Sequence, residues 1–229
     1  LGDSAANSLD GGAGNDTVIA GAGNDTLIGG LGDDLLDGGA DGADLLIHAF
    51  ATGAVTVDLA AGTTSGADGN DTLSSIEGVL GGNFDDQLVG DAAANTLVGS
   101  AGNDTLDGGA ANDTLRGDLG DDLLIGGGES ADWASYAGAT AAITVDLTAG
   151  TSSGAQGFDT LSGIENILSG STGHGDSLLG NSGANILDGG LLSGTLSGAA
   201  GNDTLIGNSS TDWLLSLIHI SEPTRLRRI

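Results

Sequence analysis

The sequence predicts an all-β fold, a right-handed parallel β-roll (β-solenoid) of glycine-rich nonapeptide repeats with two repeats per coil. The first observation is a tandem pattern, Gly-Gly-x-Gly-x-Asp-x-(large apolar)-x, clearest in the units that begin at Gly11, Ala20, Gly99 and Gly198. Such runs are typical of parallel β-solenoids. The second observation is composition, since 45 of the 229 residues are glycine and only 3% are aromatic, unlike an ordinary packed globule. The apolar fraction of 38% then favours a solenoid over a disordered chain.

Each unit is predicted to be a turn followed by a short strand. Glycines at the first, second and fourth positions allow backbone conformations that are closed to other residues. The last three positions form the strand, whose central aliphatic side chain points inward, so that stacked units build an apolar core. The central residues are Val18, Leu27, Leu36, Leu88, Leu97, Leu106, Leu115, Leu124, Leu187, Leu196, Leu205 and Leu214.

Two longer cassettes interrupt the nine-residue units. Both open with strict alternation of apolar and polar residues, at 55–59 and 143–147, which is typical of a half-buried strand. Their second halves fit either a helical turn or an irregular strand. The cassettes match at a constant offset of 88 residues, so a larger duplication contains the smaller one. The predicted boundaries are 2–47, 81–134 and 170–214 for the repeat blocks and 48–80 and 135–169 for the cassettes.

The chain is strongly acidic. Asp and Glu number 32 against 4 Lys and Arg, a formal net charge of −28, which excludes nucleic acid and anionic membranes as natural partners and favours a cation. There is no cysteine, and hence neither a disulfide framework nor a thiolate metal site. No apolar stretch approaches the length of a transmembrane helix, so membrane insertion is not expected.

The acids recur at the sixth position of the repeat, where two units per coil would stack them. Unit n then lies on unit n+2 at about 4.8 Å, which places Asp16 over Asp34. The same spacing places Asp104 over Asp122. Two carboxylates about 5 Å apart, at an effective dielectric constant of about 20, repel by roughly 3 kcal/mol, and a divalent cation between the turns would reverse that sign. Oxygen ligands without His or Cys favour Ca²⁺ over transition metals, and over Mg²⁺, which demands a tight octahedron.

In this tandem form the repeat resembles the RTX (repeats-in-toxin) family, which includes the C-terminal β-rolls of serralysin-like proteases, secreted lipases and haemolysins. The resemblance covers residues 2–214. It implies several Ca²⁺ ions between successive turns, held by sixth-position Asp side chains and by backbone carbonyls of the turn. The side-chain ligands it implies are Asp16, Asp25, Asp34, Asp86, Asp104, Asp113, Asp122, Asp203 and Asp212, and the carbonyl ligands are those of Gly12, Gly14, Gly21, Gly23, Gly102, Gly109 and Gly201.

The resemblance also implies a function. The chain is expected to be the calcium-binding repeat region of a secreted bacterial protein, not an enzyme in itself, which folds on Ca²⁺ binding outside the cell. Type I secretion machinery would be a partner of the parent protein, and the region itself is expected to be monomeric. Two alternatives stay open for the parent. One is an extracellular hydrolase, a protease or lipase, that carries the roll as a stabilising and secretion module; the other is an adhesin or surface-layer protein with the roll as an extender.

Some units lack the sixth-position Asp, and their sites are expected to be weaker or absent. Asn7, Asn95 and Asn185 replace it with a neutral ligand. Gly194 stands at the same position and offers no side-chain ligand.

Other acids fall outside the regular spacing. Asp44, Asp132 and Asp176 follow one extra residue in units beside the cassettes, and they are expected to end or restart the ladder of stacked acids. Asp71 and Asp159 lie in Gly-x-Asp-Thr-Leu strings inside the cassettes. These two are candidate stray ligands.

One stretch matches a catalytic signature. Residues 150–154 fit the Gly-x-Ser-x-Gly nucleophile elbow with Ser152 at its centre, but the duplicated stretch has Thr64 there. A turn after a strand explains both copies better than catalysis does. His48 and His174 occur singly, outside any His-Glu-x-x-His zinc motif, so no catalytic residue is predicted.

The two ends of the sequence also differ from the repeats. Leu1 begins in mid-repeat, and residues 215–229 hold the only Pro and three of the four Arg. This last stretch resembles an in-frame translation of a sequencing-library adapter. It is therefore expected to be a non-native tail, with the repeat region continuing beyond Leu214 in the parent gene.

Overall fold

The computed structural model describes residues 1–40, 42–128, 131–170, 175–190, 194–207 and 212–217. Every regular element in these ranges is a β-strand, and they contain no helix long and apolar enough to cross a membrane. Most of the expected non-native tail, 218–229, lies outside the described residues, as does His174.

The described strands, numbered along the chain, form two sheets. The first sheet has the spatial order β1 (Ser8–Ala13), β3 (Thr26–Leu31), β5 (Leu45–Ile47), β9 (Gly78–Leu80), β11 (Thr96–Ala101), β13 (Thr114–Leu119), β15 (Trp133–Ser135), β19 (Asn166–Leu168), β21 (Ile186–Asp188) and β23 (Thr204–Ile206). The second has the order β2 (Thr17–Ala22), β4 (Leu35–Ala40), β8 (Thr72–Ser74), β7 (Thr63–Gly66), β6 (Val55–Asp58), β10 (Gln87–Val89), β12 (Thr105–Asp107), β14 (Leu123–Ile125), β18 (Thr160–Ser162), β17 (Thr151–Gly154), β16 (Ile143–Asp146), β20 (Ser177–Leu179), β22 (Thr195–Ala200) and β24 (Trp213–Leu217).

Successive repeats alternate between the two sheets, and each strand pairs in parallel with the strand one coil further on. Ser8 of β1 pairs with Thr26 of β3. In the other sheet, Thr17 of β2 pairs with Leu35 of β4. Both pairs are two nine-residue repeats apart, so the predicted all-β parallel roll with two repeats per coil is confirmed.

The cassettes break this parallel order with antiparallel hairpins. β6 pairs antiparallel with β7, and β7 with β8, before β8 returns to parallel pairing with β4. The second cassette repeats the arrangement with β16, β17 and β18. The second halves of the cassettes, for which the sequence left two options, are short strands, β8 and β9 in the first copy.

Aliphatic side chains from both sheets fill the space between them. Leu27, Leu36 and Leu106 are fully buried, as the repeat predicts. Leu214 is instead 49% exposed, because β24 is the last of the described strands in its sheet and pairs with β22 alone among them. Each nine-residue unit adds a single central aliphatic, so the core is thin and the turns must contribute to stability.

Candidate metal centre

Hydrogen bonds link the sixth-position residues of successive coils. The backbone N–H of Asp16 donates to Oδ1 of Asp34 at 2.8 Å. The N–H of Asp104 donates to Oδ1 of Asp122, also at 2.8 Å. The predicted stacking of both pairs is therefore confirmed. Only one of the two oxygens of each accepting carboxylate is used in this contact.

The other oxygen, Oδ2, is buried and has no hydrogen-bond partner at seven of these acids. Burying a charged oxygen without a partner is costly, and folded proteins rarely do so without an ion or water to compensate. All seven belong to the set of side-chain ligands implied by the sequence. They are Asp16, Asp25, Asp34, Asp104, Asp113, Asp122 and Asp203.

The first glycine of each unit makes room for this oxygen. A Cβ added to Gly29 would lie 2.6 Å from Oδ2 of Asp34, and one added to Gly117 would overlap Oδ2 of Asp122. Neither glycine has a positive φ. The expectation that the first glycine serves an unusual backbone conformation is therefore wrong, because the position needs space for the carboxylate instead.

The second and fourth glycines do adopt the predicted conformation. Gly30 has a φ of 98° and Gly32 a φ of 129°. A Cβ at either position would also overlap a carbonyl oxygen of the preceding coil, that of Gly12 or Gly14. The carbonyl of Gly201 cannot be compared in this way, because the residues that would stack on it lie outside the described ranges. The implied carbonyl ligands found directed at the next coil in this way are those of Gly12, Gly14, Gly21, Gly23, Gly102 and Gly109.

Burial changes the protonation of these acids. Desolvation raises the pKa of Asp104 to about 6, although the hydrogen bond from the Asp86 N–H opposes the shift. Desolvation also raises the pKa of Asp113 to about 6. At Asp122 it raises the pKa to about 7, and the negative charges of Asp159 and Asp104 add to the shift. The turns thus concentrate poorly solvated negative charge, which favours binding of a proton or a cation.

Two of the implied side-chain ligands are held differently. Oδ2 of Asp86 accepts the backbone N–H of Gly82 at 2.6 Å, and its Oδ1 accepts the N–H of Val55 at 2.9 Å. Both oxygens of Asp86 are thus engaged within the protein. Asp212 joins the ladder through its Oδ1, which accepts the N–H of Gly194 at 2.9 Å.

Hydrogen bonds continue the ladder past two of the units with an extra residue, those of Asp44 and Asp132. Oδ1 of Asp44 accepts the N–H of Asp25 at 2.7 Å, and the N–H of Asp44 donates in turn to Oε2 of Glu77 at 2.9 Å. The second copy repeats these bonds with Asp132 and Glu165. Asp44 and Asp132 therefore end the regular spacing of the ladder, as expected, but the hydrogen bonds continue to Glu residues 33 positions further on. The two Glu residues were missed by the motif, although each directly precedes a strand, as a sixth-position Asp does.

The cassette acids Asp71 and Asp159 also join the ladder, but hydroxyl groups take their second oxygens. Oδ2 of Asp71 accepts the Thr64 hydroxyl at 2.8 Å. Oδ2 of Asp159 accepts the hydroxyls of Ser152 at 2.6 Å and Tyr136 at 3.0 Å. Ser152, the centre of the Gly-x-Ser-x-Gly match, is therefore a buried donor to a carboxylate and not an exposed nucleophile.

The turns with Asn at the sixth position close on themselves. Oδ1 of Asn95 accepts the N–H of Asp91 at 2.7 Å, and Oδ1 of Asp91 accepts the N–H of Ala93 at 2.7 Å. Asn7 and Asn185 repeat both bonds with their own neighbours. These turns satisfy their polar groups by hydrogen bonds within the turn.

The available donor atoms limit which metal ions these turns could bind. Three acidic or histidine side chains do not converge on one point anywhere in the described part of the chain. A cation in these turns would therefore draw on backbone carbonyls as well as on one or two carboxylates. All of these donors are hard oxygen atoms, which suit Ca²⁺ and fit poorly with metals that prefer nitrogen or sulfur.

Comparison with known families agrees with this donor set. The RTX calcium-binding nonapeptide repeat (4 copies) matches the chain over residues 1–36, 10–46, 80–115, 99–130, 165–191 and 192–216. These matches cover well over half of the chain, and the chain belongs to this family of calcium-binding repeats. A search of curated proteins found no match. The family is defined by a structural calcium-binding repeat, not by a catalytic site.

Proposed function

We propose that the chain is the calcium-binding repeat region of a secreted bacterial protein, exported by type I secretion machinery and folded outside the cell as Ca²⁺ fills its turns. The observation that carries this proposal is the set of buried, unpartnered Oδ2 atoms at the sixth position. A cation is the natural partner for such oxygens, since they carry charge and have lost their water.

Each proposed site lies between two stacked turns, such as those of Asp104 and Asp122. The two carboxylates supply the charge, and carbonyls of the turn, such as that of Gly102, supply further oxygens. The acids with an unpartnered Oδ2 are the best-supported ligands. Asp86 and Asp212 stay in the proposed set with less support, because neither is among the acids with a buried, unpartnered Oδ2. Both oxygens of Asp86 are already engaged within the protein.

Calcium binding would be coupled to folding. The thin aliphatic core is too small to offset the free-energy cost of burying unpaired carboxylates. At low calcium the turns therefore open. Extracellular calcium sites have dissociation constants of about 10⁻⁴ to 10⁻³ M, and about a tenfold excess of calcium would add roughly 1.4 kcal/mol per site. Several sites together match the stability of a typical domain, about 5–15 kcal/mol.

Far-UV circular dichroism of the whole chain tests the proposal. CaCl₂ is titrated into EDTA-treated protein, with MgCl₂ as the control for ionic strength and charge. We expect a cooperative gain of β-structure in Ca²⁺ alone, with a midpoint of about 0.1–1 mM. A β-spectrum that is complete in EDTA and unchanged by calcium would overturn it.

A further inference from the structure

Acids with a free oxygen and acids without one are segregated along the roll. We call a sixth-position turn open when its Asp has a buried Oδ2 without a partner, and closed when hydrogen bonds within the protein occupy the side-chain oxygens. Between the two open groups, the turns at Asp71, Asp86 and Asn95 are closed. Asp44 and Glu77, in the same interval, each accept a backbone N–H with one oxygen. The open groups are Asp16, Asp25 and Asp34 in the first block and Asp104, Asp113 and Asp122 in the second.

The first cassette supplies groups that close the turns of Asp71 and Asp86. The Thr64 hydroxyl on β7 donates to Asp71. Asp86 accepts the N–H of Val55, at the start of β6, and the N–H of Gly82. The antiparallel hairpin, which has no counterpart in a regular repeat, is therefore the source of two of these bonds.

The second cassette is closed in the same manner with different side chains. Ser152 and Tyr136 donate to Asp159. The Ser169 hydroxyl donates to Oδ2 of Asp176, whose Oδ1 accepts the N–H of Ile143 at 3.0 Å. Two copies with different donors thus reach the same result, an acid whose oxygens are both engaged.

The cassettes contribute apolar side chains to the continuous core of the roll. Val55 and Val57 of β6 and Leu73 of β8 are all at least nine-tenths buried. The hairpin strands follow one another along the chain with short turns, so their contacts are local and cost little loop-closure entropy. In such a unit the carboxylates of Asp71, Asp86, Asp159 and Asp176 need no metal, because hydrogen bonds engage their oxygens.

We propose that residues 54–97 form a calcium-independent collar, that residues 142–170 with 175–187 form a second one, and that the collars divide the calcium turns into separately filled groups. The proposal rests on the calcium function proposed above for the open turns, and within it the Asp86 carboxylate is held by the protein and not by calcium. In calcium-free solution the collars stay folded while the open turns between them unfold. Calcium then adds coils to these folded templates, since each coil of a solenoid contacts only its neighbours.

Hydrogen exchange of the whole chain, followed by mass spectrometry in EDTA and in CaCl₂, tests the collars. We expect slow exchange of peptides from 54–97 in both solutions, and loss of protection in EDTA for peptides from 99–128. Fast exchange of all peptides in EDTA, with protection restored by calcium, would overturn the collars and leave the calcium function intact. The absence of any calcium effect would overturn both, and the two failures are thus distinguishable.

A substitution tests the closing bond itself. Thr64→Val keeps the shape of the side chain and removes the hydroxyl that donates to Asp71. We expect loss of protection in EDTA for peptides from 54–75 and, because the folded template is weakened, a higher calcium midpoint for 99–128. Thr56→Val is the matched control, because Thr56 lies exposed on the neighbouring strand β6. Equal protection in both variants would contradict the closing role of Thr64.

Discussion

Gly117 and Asp122 share one small space, because Oδ2 of Asp122 lies where a Cβ on Gly117 would project. The same relation holds between Gly29 and Asp34 and between Gly99 and Asp104. The first glycine and the sixth-position acid of a repeat therefore act as one structural unit. The glycine is what allows the carboxylate to fold beneath its own turn.

Gly117→Ala should consequently destabilise the calcium-bound roll. Its Cβ would displace the Asp122 carboxylate, and an overpacked site of this kind costs about 1–3 kcal/mol. The free energy of unfolding in CaCl₂, from urea titration, measures the effect. Gly128→Ala is the control, since the nearest atoms to its added Cβ are at 3.9 and 4.0 Å, and we expect a change within about 0.5 kcal/mol. Similar losses in both variants would contradict the spatial argument.

Asp122→Asn should raise the calcium midpoint while stabilising the calcium-free roll. The amide keeps an oxygen for the Asp104 N–H but removes a buried charge, and fewer charged ligands weaken a calcium site by about tenfold. Calcium titrations followed by circular dichroism measure the midpoint. Asp121→Asn makes the same change at the adjacent, exposed acid and should leave the midpoint nearly unchanged. An unchanged midpoint for Asp122→Asn would contradict its assignment as a ligand.

Acid should favour the calcium-free fold. The pKa values of Asp104 and Asp113, about 6, and of Asp122, about 7, exceed the ordinary value of about 3.9. The folded state therefore binds more protons than the unfolded chain between these values. It follows that the free energy of unfolding in EDTA rises as the pH is lowered from about 7 towards about 4.

Calcium must displace the same protons, so the calcium midpoint should rise over that pH range. The β-structure content in EDTA, from far-UV circular dichroism, and calcium titration, each at about pH 7.5 and about pH 5.5, measure the two effects. A calcium-free roll that loses stability on acidification would show that these acids are not desolvated.

Core packing and calcium affinity should change together. Leu106 is fully buried, and replacing a buried Leu by Ala costs about 2–5 kcal/mol. Because binding and folding are coupled in the proposed function, Leu106→Ala should move the calcium midpoint upward without touching a ligand. Leu119→Ala, at a side chain that is 58% exposed, is the control. Equal midpoints for the two variants would indicate that the turns bind calcium independently of the core.

The sequence predicted the roll and its register because both follow from spacing alone. A nine-residue period with one central aliphatic sets the strand, and two repeats per coil set Asp16 on Asp34. The role of the first glycine was not predictable in this way, because a glycine in a sequence is equally compatible with a positive φ and with a close contact that leaves no room for a Cβ. The distinction needed the position of the acid in three dimensions.

The ladder positions of the cassettes were harder to predict because they depend on the hairpins. Glu77 stands where the repeat pattern has Asp. Its longer side chain accepts the backbone N–H of Asp44, as the carboxylate of a sixth-position Asp would. Asp71 looked like a spare ligand until the fold brought the Thr64 hydroxyl to it. A short alternating strand does not specify whether its neighbour runs parallel or antiparallel, so the donors remained hidden in the sequence.

The offset of 88 residues between the two copies returns each strand to the sheet it started from. The turn of Asp25 and its copy at Asp113 both lead into the first sheet, through β3 and β13. Duplicating a single repeat would instead send every downstream strand to the opposite sheet and misplace the next hairpin. Recombination can therefore lengthen this protein and keep every downstream strand in its sheet only by copying whole coils, or the whole 88-residue unit with its hairpin.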